Sequence, residues 1–453
     1  MTERDEYERV FKGVREWVEP DADEQTRLRA AADALLDRTQ DAIDDLAVEA
    51  DTVLVGSTAR GTWISGDRDI DVFVRFPADL PREKLERLGL QIGSEVLPDG
   101  HEEYAEHPYT KGEFNGFSVD LVPCYDVPTA SDIKSAVDRT PFHTAYLNDH
   151  LTPELAGDVR LAKQFLKGIG VYGSDLRTEG FSGYLTELLI LEYGSLLALL
   201  EAAADWKPPV KFDPESHGHR SFTDPLVVID PTDPLRNVAA AVSPDNVARL
   251  QHYARAFLAD PSEALFVATA PDPFTEDQVR TAIEHRETVP VAVRFETPDI
   301  VEDQLYPQLR KSVDGMASEL NRRGFDVLRS ATFAADTAVL FVELEVATRP
   351  AVERHEGPPV HVKAHAAGFF EKYADDPAVF GPFVDGDRYV VERDREFTTA
   401  KAFLESDALF DVALGASVQR HIEQEYDVLV GDEVATLAAE FGEVLARYFS
   451  PRP

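Results

Sequence analysis

The run Asp69-Ile70-Asp71-Val72-Phe73-Val74 alternates acidic or aromatic residues with aliphatic ones, a period of two that commits it to a half-buried β-strand. Side chains of a strand alternate faces, so Asp69 and Asp71 project together while Ile70, Val72 and Val74 line the face toward a core. Two adjacent carboxylates repel unless something positive lies between them, and a hard divalent cation such as Mg²⁺ meets that need. Upstream, Thr52-Val53-Leu54-Val55 reads as a second strand ending in Gly56-Ser57. Glycine permits a sharp turn there, which brings backbone N–H groups and the Ser57 hydroxyl close to a phosphate. An Asp-x-Asp alone is usually a solvated strand face. Joined to a phosphate-holding turn, it describes a nucleoside triphosphate site.

A third carboxylate completes the pattern. Phe117-Ser118-Val119-Asp120-Leu121-Val122 is strand-like but carries an acid in its middle, where β propensity disfavours Asp. Such local violations mark sites that function requires. A strand bearing Asp120 beside Asp69 and Asp71 would form a two-metal cage. Asp126 is a rival third ligand, but it lies between Pro123 and Pro128 and reads as loop.

With 453 residues, the chain should divide into about two to four domains. Two helices are expected before residue 50. Strands follow near 52–55, 69–76 and 114–122, with a helix from Pro81 to Leu97. From Thr152 to about Asp260 the apolar spacing turns helical, as in Leu161, Phe165, Leu166 and Ile169. Linkers are expected at Trp206-Lys207-Pro208-Pro209 and Asp260-Pro261. Residues 288–345 alternate strands with a helix near 302–323, an α+β pattern. A basic and aromatic stretch around His361, Lys363, His365, Phe369, Phe370 and Lys372 comes next, and the last helix ends near Phe449.

The single cysteine, Cys124, excludes an intramolecular disulfide and a CxxC metal motif, and reads as a small buried filler. The polar start and the glutamates that interrupt Tyr184–Ala203 exclude a signal peptide and a membrane span, so a cytoplasmic location without membrane partners is expected. The net charge of −39, from 84 acids against 45 bases, would also repel anionic lipid. It would repel a nucleic acid too, except in concentrated salt, where the Debye length shrinks to roughly 3 Å at 1 M. The excess acid therefore reads as halophilic adaptation.

Gly56-Ser57, Asp69-Ile70-Asp71 and Asp120, in this order, resemble the nucleotidyltransferases built on the DNA polymerase β palm. GSTARGTWISGDRDIDVFVRFP, FSVDLVPCYDV, RTPFHTAYLNDHL and RLAKQFLKGIGVYGSDLRTEGFSGYLTELLI are together similar to the archaeal, class I CCA-adding enzymes. DPTDPLRNVAAAVS and HVKAHAAGFFEKY extend the likeness over most of the chain. The resemblance implies a multidomain α+β fold: a palm with a mixed sheet at 1–150, a helical central domain at 151–260 and an α+β tRNA-binding region at 261–453. It implies template-independent addition of C, C and A to the tRNA acceptor end from CTP and ATP. In that reaction the 3′-hydroxyl attacks the α-phosphate and pyrophosphate leaves.

One Mg²⁺ would be held by Asp69, Asp71 and Asp120, and a second by Asp69 and Asp71. The resemblance gives Ser57 and Arg60 to the incoming nucleotide, Lys163 and Tyr172 to triphosphate or sugar, and His143 to the nucleotide as well. Arg236 is a candidate reader of the base edge, because its guanidinium offers donors. A homodimer is the expected assembly. Two alternatives stay open at this stage: the same chemistry on another acceptor, as in poly(A) polymerases, and a catalytically silent RNA-binding relative.

Overall fold

A computed structural model describes residues 3–46, 48–104 and 106–453. They form two compact units, one over 1–269 with Pro453 and one over 270–452.

In the first unit, helices α1 (Glu3–Val18) and α2 (Ala22–Asp44) precede strand β1 (Asp51–Val55), the short helix α3 (Gly56–Arg60) and strand β2 (Asp69–Pro77). Helix α4 (Arg82–Val96) then leads to β3 (His101–Tyr104), β4 (Pro108–Phe114) and β5 (Phe117–Asp126). The sheet order is β1-β2-β5-β4-β3, mixed because β2 and β5 run parallel while the other pairs are antiparallel. Parallel neighbours need a long crossover, and α4 with the β3–β4 hairpin supplies it.

Ile70, Val72, Val74, Val119 and Leu121 are all fully buried in a core shared with Leu28, Leu35, Leu85, Leu88 and Ile92 of α2 and α4. Helix α4 approaches closely at Gly93, where a Cβ would come within 1.9 Å of Thr110 Oγ1. The burial of one strand face is what turns Asp69 and Asp71 to the other. Lower on that other face, Phe73, Val122 and the free, buried Cys124 form a small apolar cluster.

Helices α5 (Thr140–His150), α6 (Pro153–Gly168), α7 (Gly183–Tyr193) and α8 (Leu196–Ala204) follow. Ser182 caps α7 by accepting the Leu185 N–H, and Gly194 ends it in the left-handed region at φ 80°, which only glycine adopts without strain. The sequence reading anticipated helices alone here. In addition, β6 (Val210–Phe212), β7 (Leu226–Asp230) and β8 (Asp233–Asn237) make a three-stranded sheet before α9 (Pro244–Ala259).

The division between the two units falls after Thr269, close to the boundary expected at 260, while the segments expected at 1–150 and 151–260 share one unit. Val10, Phe11, Val14 and Val18 of α1 and Leu147 of α5 lie in the core of the helical segment, with Phe165, Leu188 and Phe257. Beyond the Asp260-Pro261 linker, Phe266 is buried in that same core, edge-on to Phe165 and Phe257. Apolar side chains that straddle an expected linker hold both sides together.

The second unit contains α10 (Glu276–Arg286), β9 (Val289–Glu296), α11 (Glu302–Arg322), β10 (Val327–Ala334) and β11 (Thr337–Leu344). Strand β12 (Val352–Pro359), helix α12 (Lys363–Tyr373), β13 (Val379–Asp385) and β14 (Arg388–Asp394) form a separate small sheet of order β12-β14-β13 with one helix. The short helices α13 (Ala400–Leu404) and α14 (Ala416–Ile422), strand β15 (Asp427–Val430) and helix α15 (Ala438–Phe449) complete it, β15 joining the main sheet in the order β10-β11-β9-β15. Among the described residues no helix is long and apolar enough to cross a membrane.

Candidate active site

Strand pairing sets the acidic residues in a row. Asp71 on β2 stands opposite Val55 on β1 and opposite Asp120 on β5, and Asp120 in turn faces Lys111 on β4. Asp69 lies two residues earlier on β2, so it shares the face of Asp71. Asp126 ends β5 away from this row and pairs with Arg75 at 3.4 Å.

Burial, the Asp120 charge and the Asp69 charge push the Asp71 carboxyl up to about 6. Asp120 is also raised by burial, against the pull of Lys111, whose Nζ lies 3.7 Å from Oδ1. That same Oδ1 is buried and accepts no hydrogen bond. Among the described residues, no three His, Cys, Asp or Glu side chains already close into a metal cage.

Gly56 turns the chain out of β1 with φ +73°, and a Cβ there would lie 1.9 Å from Asp71 Oδ2. The turn starts α3, and Thr58 Oγ1 ties it down by donating to the Asp69 carbonyl at 2.7 Å. Gly56 and Ser57 therefore sit beside the carboxylate row, held there by backbone geometry.

Arg60, at the end of α3, does not extend into solvent. Its Nε donates to Glu187 Oε1 on α7 at 3.1 Å, its Nη1 donates to Thr144 Oγ1 on α5 at 3.2 Å, and its Nη2 lies 3.0 Å from Glu187 Oε2. Lys163 on α6 is also drawn inward and is only 2% exposed. Its ammonium donates to the Thr62 carbonyl at 3.0 Å and to Thr62 Oγ1 at 3.2 Å, with Glu187 Oε1 at 3.6 Å. Thr62 Oγ1 donates in turn to Glu187 Oε1. Burial alone would raise the Glu187 carboxyl, but Lys163 and Arg60 outweigh it and hold the group below its ordinary value. Tyr172 reaches the same place: a Cβ on Gly183 would lie 3.1 Å from its Oη and 3.8 Å from Lys163 Nζ.

The other two candidates meet at a second buried carboxylate. His143 stacks on Tyr184, ring centroids 3.9 Å apart, and its Nε2 lies 2.9 Å from Asp230 Oδ2. Arg236 Nη1 donates to that oxygen at 2.8 Å, while the Thr232 N–H and hydroxyl and the Tyr184 hydroxyl donate to Oδ1. Burial opposes ionisation of Asp230, yet these donors hold its pKa well below the usual range. Burial lowers His143, against the pull of Asp230.

The sequence reading missed Glu187, Thr62, Thr144, Asp230, Tyr184 and Lys111. Glu187 had a signal: it is the one charge within Leu185–Ile190, a stretch that is buried throughout. A buried acid on a helix needs partners.

The description "nucleotidyltransferase domain" matches residues 36–143, "tRNA nucleotidyltransferase, second domain" 157–267, and "CCA-adding enzyme, C-terminal domain" 286–431. The CCA-adding enzyme of Halorubrum lacusprofundi is 61% identical over 99% of this chain and 100% of its own. That of Haloarcula marismortui is 59% identical, again over 99% and 100%. The chain belongs to the CCA-adding enzymes. A more distant relative, from Methanosarcina barkeri, is 42% identical over 92% of both chains. The enzyme is thus a tRNA nucleotidyltransferase with an α+β multidomain fold, as its sequence resemblance implied. Its first relatives come from salt-loving archaea, in keeping with its acidity.

Proposed function

We propose that the enzyme adds C, C and then A from CTP and ATP at the carboxylate row, with Asp69, Asp71 and Asp120 holding Mg²⁺. The observation that carries this reading is the register of Asp71 with Asp120 beside the Gly56-Ser57 turn. The donor set fits the ion: all oxygen, like-charged, with Asp120 Oδ1 free of hydrogen bonds. Mg²⁺ is ordinarily bound by one or two carboxylates together with substrate phosphates rather than by a closed protein cage, so an open row suits it. When bound, the metal supplies charge stabilisation for the attacking 3′-hydroxyl and the departing pyrophosphate.

The protein's own groups do the positioning. Backbone N–H groups at the Gly56-Ser57 turn and the Ser57 hydroxyl receive phosphate oxygens. Arg60 and Lys163, with Tyr172 beside them, give the triphosphate side a net positive charge. His143 offers a flat ring stacked on Tyr184, and Arg236, oriented by Asp230, offers donors to the base edge.

The test is incubation at high KCl with tRNA trimmed at its 3′ end and each labelled triphosphate. Only CTP should add to tRNA ending at the discriminator base, and ATP only after two C residues. Long oligo(A) tails on the trimmed substrate would instead indicate a poly(A) polymerase.

A further inference from the structure

Glu187 is fully buried, yet it gathers a guanidinium, an ammonium and a hydroxyl from two distant segments of chain. These are Arg60 at the end of α3, Lys163 on α6 and Thr62 in the loop between α3 and β2. A charged triad is a poor device for stability alone, because well-packed apolar residues do as well or better in such places. This one is also unbalanced, with two cations to one carboxylate. Neighbouring Asp67, whose charge also reaches Lys163, is itself paired with Lys167 at 3.2 Å. Arg60 lies on the segment that carries Ser57, and its charge is felt at Asp71. An anion beside the carboxylate row would complete the set.

We propose that Glu187 is a positioning residue for the nucleotide: it fixes Arg60 and Lys163 in place for the triphosphate without touching it. The proposal rests on the assignment of those two cations to the triphosphate. Without the carboxylate, Arg60 keeps only Thr144 as a partner and Lys163 only Thr62, so both lose their fixed orientation. Nucleotide affinity then falls while the grip on tRNA, made elsewhere, does not.

The test uses the full chain at high KCl and measures CTP binding by equilibrium dialysis, KM for CTP and for trimmed tRNA, and melting temperature. Glu187→Gln should raise the Kd and KM for CTP about tenfold or more, with KM for tRNA within about twofold, as expected when a buried charge partner is removed. In a Lys163→Ala background the same change should add less than about threefold, since coupled residues are not additive. A lower melting temperature with unchanged CTP affinity would overturn the proposal and leave Glu187 a structural residue. If Glu187→Gln does not fold, Thr62→Val decides. It removes one donor to the carboxylate, and should weaken CTP about threefold, with unchanged affinity again overturning the proposal. Unchanged CTP affinity in both Arg60→Ala and Lys163→Ala would show that the cation assignment itself is wrong, and the proposal would fall with it.

Discussion

Asp71 and Asp120 stand opposite one another on parallel strands, at the register point where β1 turns into Gly56. Nothing in the packing of the sheet demands two acids there. Burial and mutual repulsion make the pair costly, and a site that binds a cation is what offsets such a cost.

Asp71→Asn should therefore stabilise the metal-free protein while destroying activity. Folding raises the Asp71 pKa from 3.8 to about 6, so the folded state binds this proton more tightly. Stability then declines as pH climbs through that window, and the whole penalty is present above it. At pH 7.5 in EDTA, removing the charge should raise the melting temperature by about 2 °C or more. CCA addition should fall ~10²-fold or more, as for a lost electrostatic contact in the transition state. A variant that melts lower than the parent would show that the Asp71 charge is already compensated within the protein.

The same group predicts a pH profile. If Asp71 holds the proposed metal, its proton competes with that metal below about 6, so nucleotide addition should fall as pH drops from 7 to 5. Raising Mg²⁺ should move the midpoint to lower pH, because metal and proton compete for one carboxylate. The check is initial rate against pH at two Mg²⁺ concentrations. A midpoint that ignores Mg²⁺ would assign the titration to a group outside the metal site.

The geometry of the acidic row was legible because strand periodicity is simple. Alternation in 69–74 forces Asp69 and Asp71 onto one face, and an acid inside the apolar run 117–122 had few explanations. The pairing partners of Arg60 and His143 were not legible. Glu187 lies 127 positions from Arg60, and Asp230 lies 87 from His143, so only the tertiary fold brings them together. The small sheet of β6, β7 and β8 was missed for a different reason: its strands are only 3, 5 and 5 residues long. Proline-marked linkers report local chain breaks, whereas Val14 and Phe266 report where the core continues, so residues on both sides of 150 share one unit.

Gly56→Ala should disable the site without unfolding the protein. The added Cβ would press on Asp71 Oδ2 in a backbone conformation with φ +73°, which costs an L-residue roughly 1–2 kcal/mol. Relief comes by moving the Asp71 carboxylate or the Ser57 turn, and both belong to the proposed site. Activity should drop at least about tenfold while circular dichroism stays native. An alanine variant with full activity would mean the turn does not approach the nucleotide.

Asp230→Asn tests the base side. The neutral amide keeps the shape but weakens the hold on Arg236 and His143, so the guanidinium loses its fixed aim. Discrimination between CTP and UTP, read as the ratio of kcat/KM values, should shrink by about tenfold. Equal loss on both nucleotides would assign Asp230 to stability of the β7–β8 hairpin instead.

Salt sets two effects against each other. With 84 acids and 45 bases, self-repulsion at low ionic strength weakens the fold, and repulsion from tRNA weakens binding. Both penalties shrink as ions screen them. Every contact between an Arg or Lys and a phosphate, in contrast, loses affinity with rising salt through counterion release. For a basic tRNA-binding enzyme the second effect dominates and activity declines steadily with KCl. Here the first should dominate, so activity and melting temperature should both rise from about 0.1 M toward roughly 1 M KCl, where the Debye length nears 3 Å. The measurement is a KCl titration of CCA addition and of melting temperature at fixed free Mg²⁺. If both peaked near 0.1 M, screening would not be the role of the excess acid, and the halophilic reading of the charge would be lost.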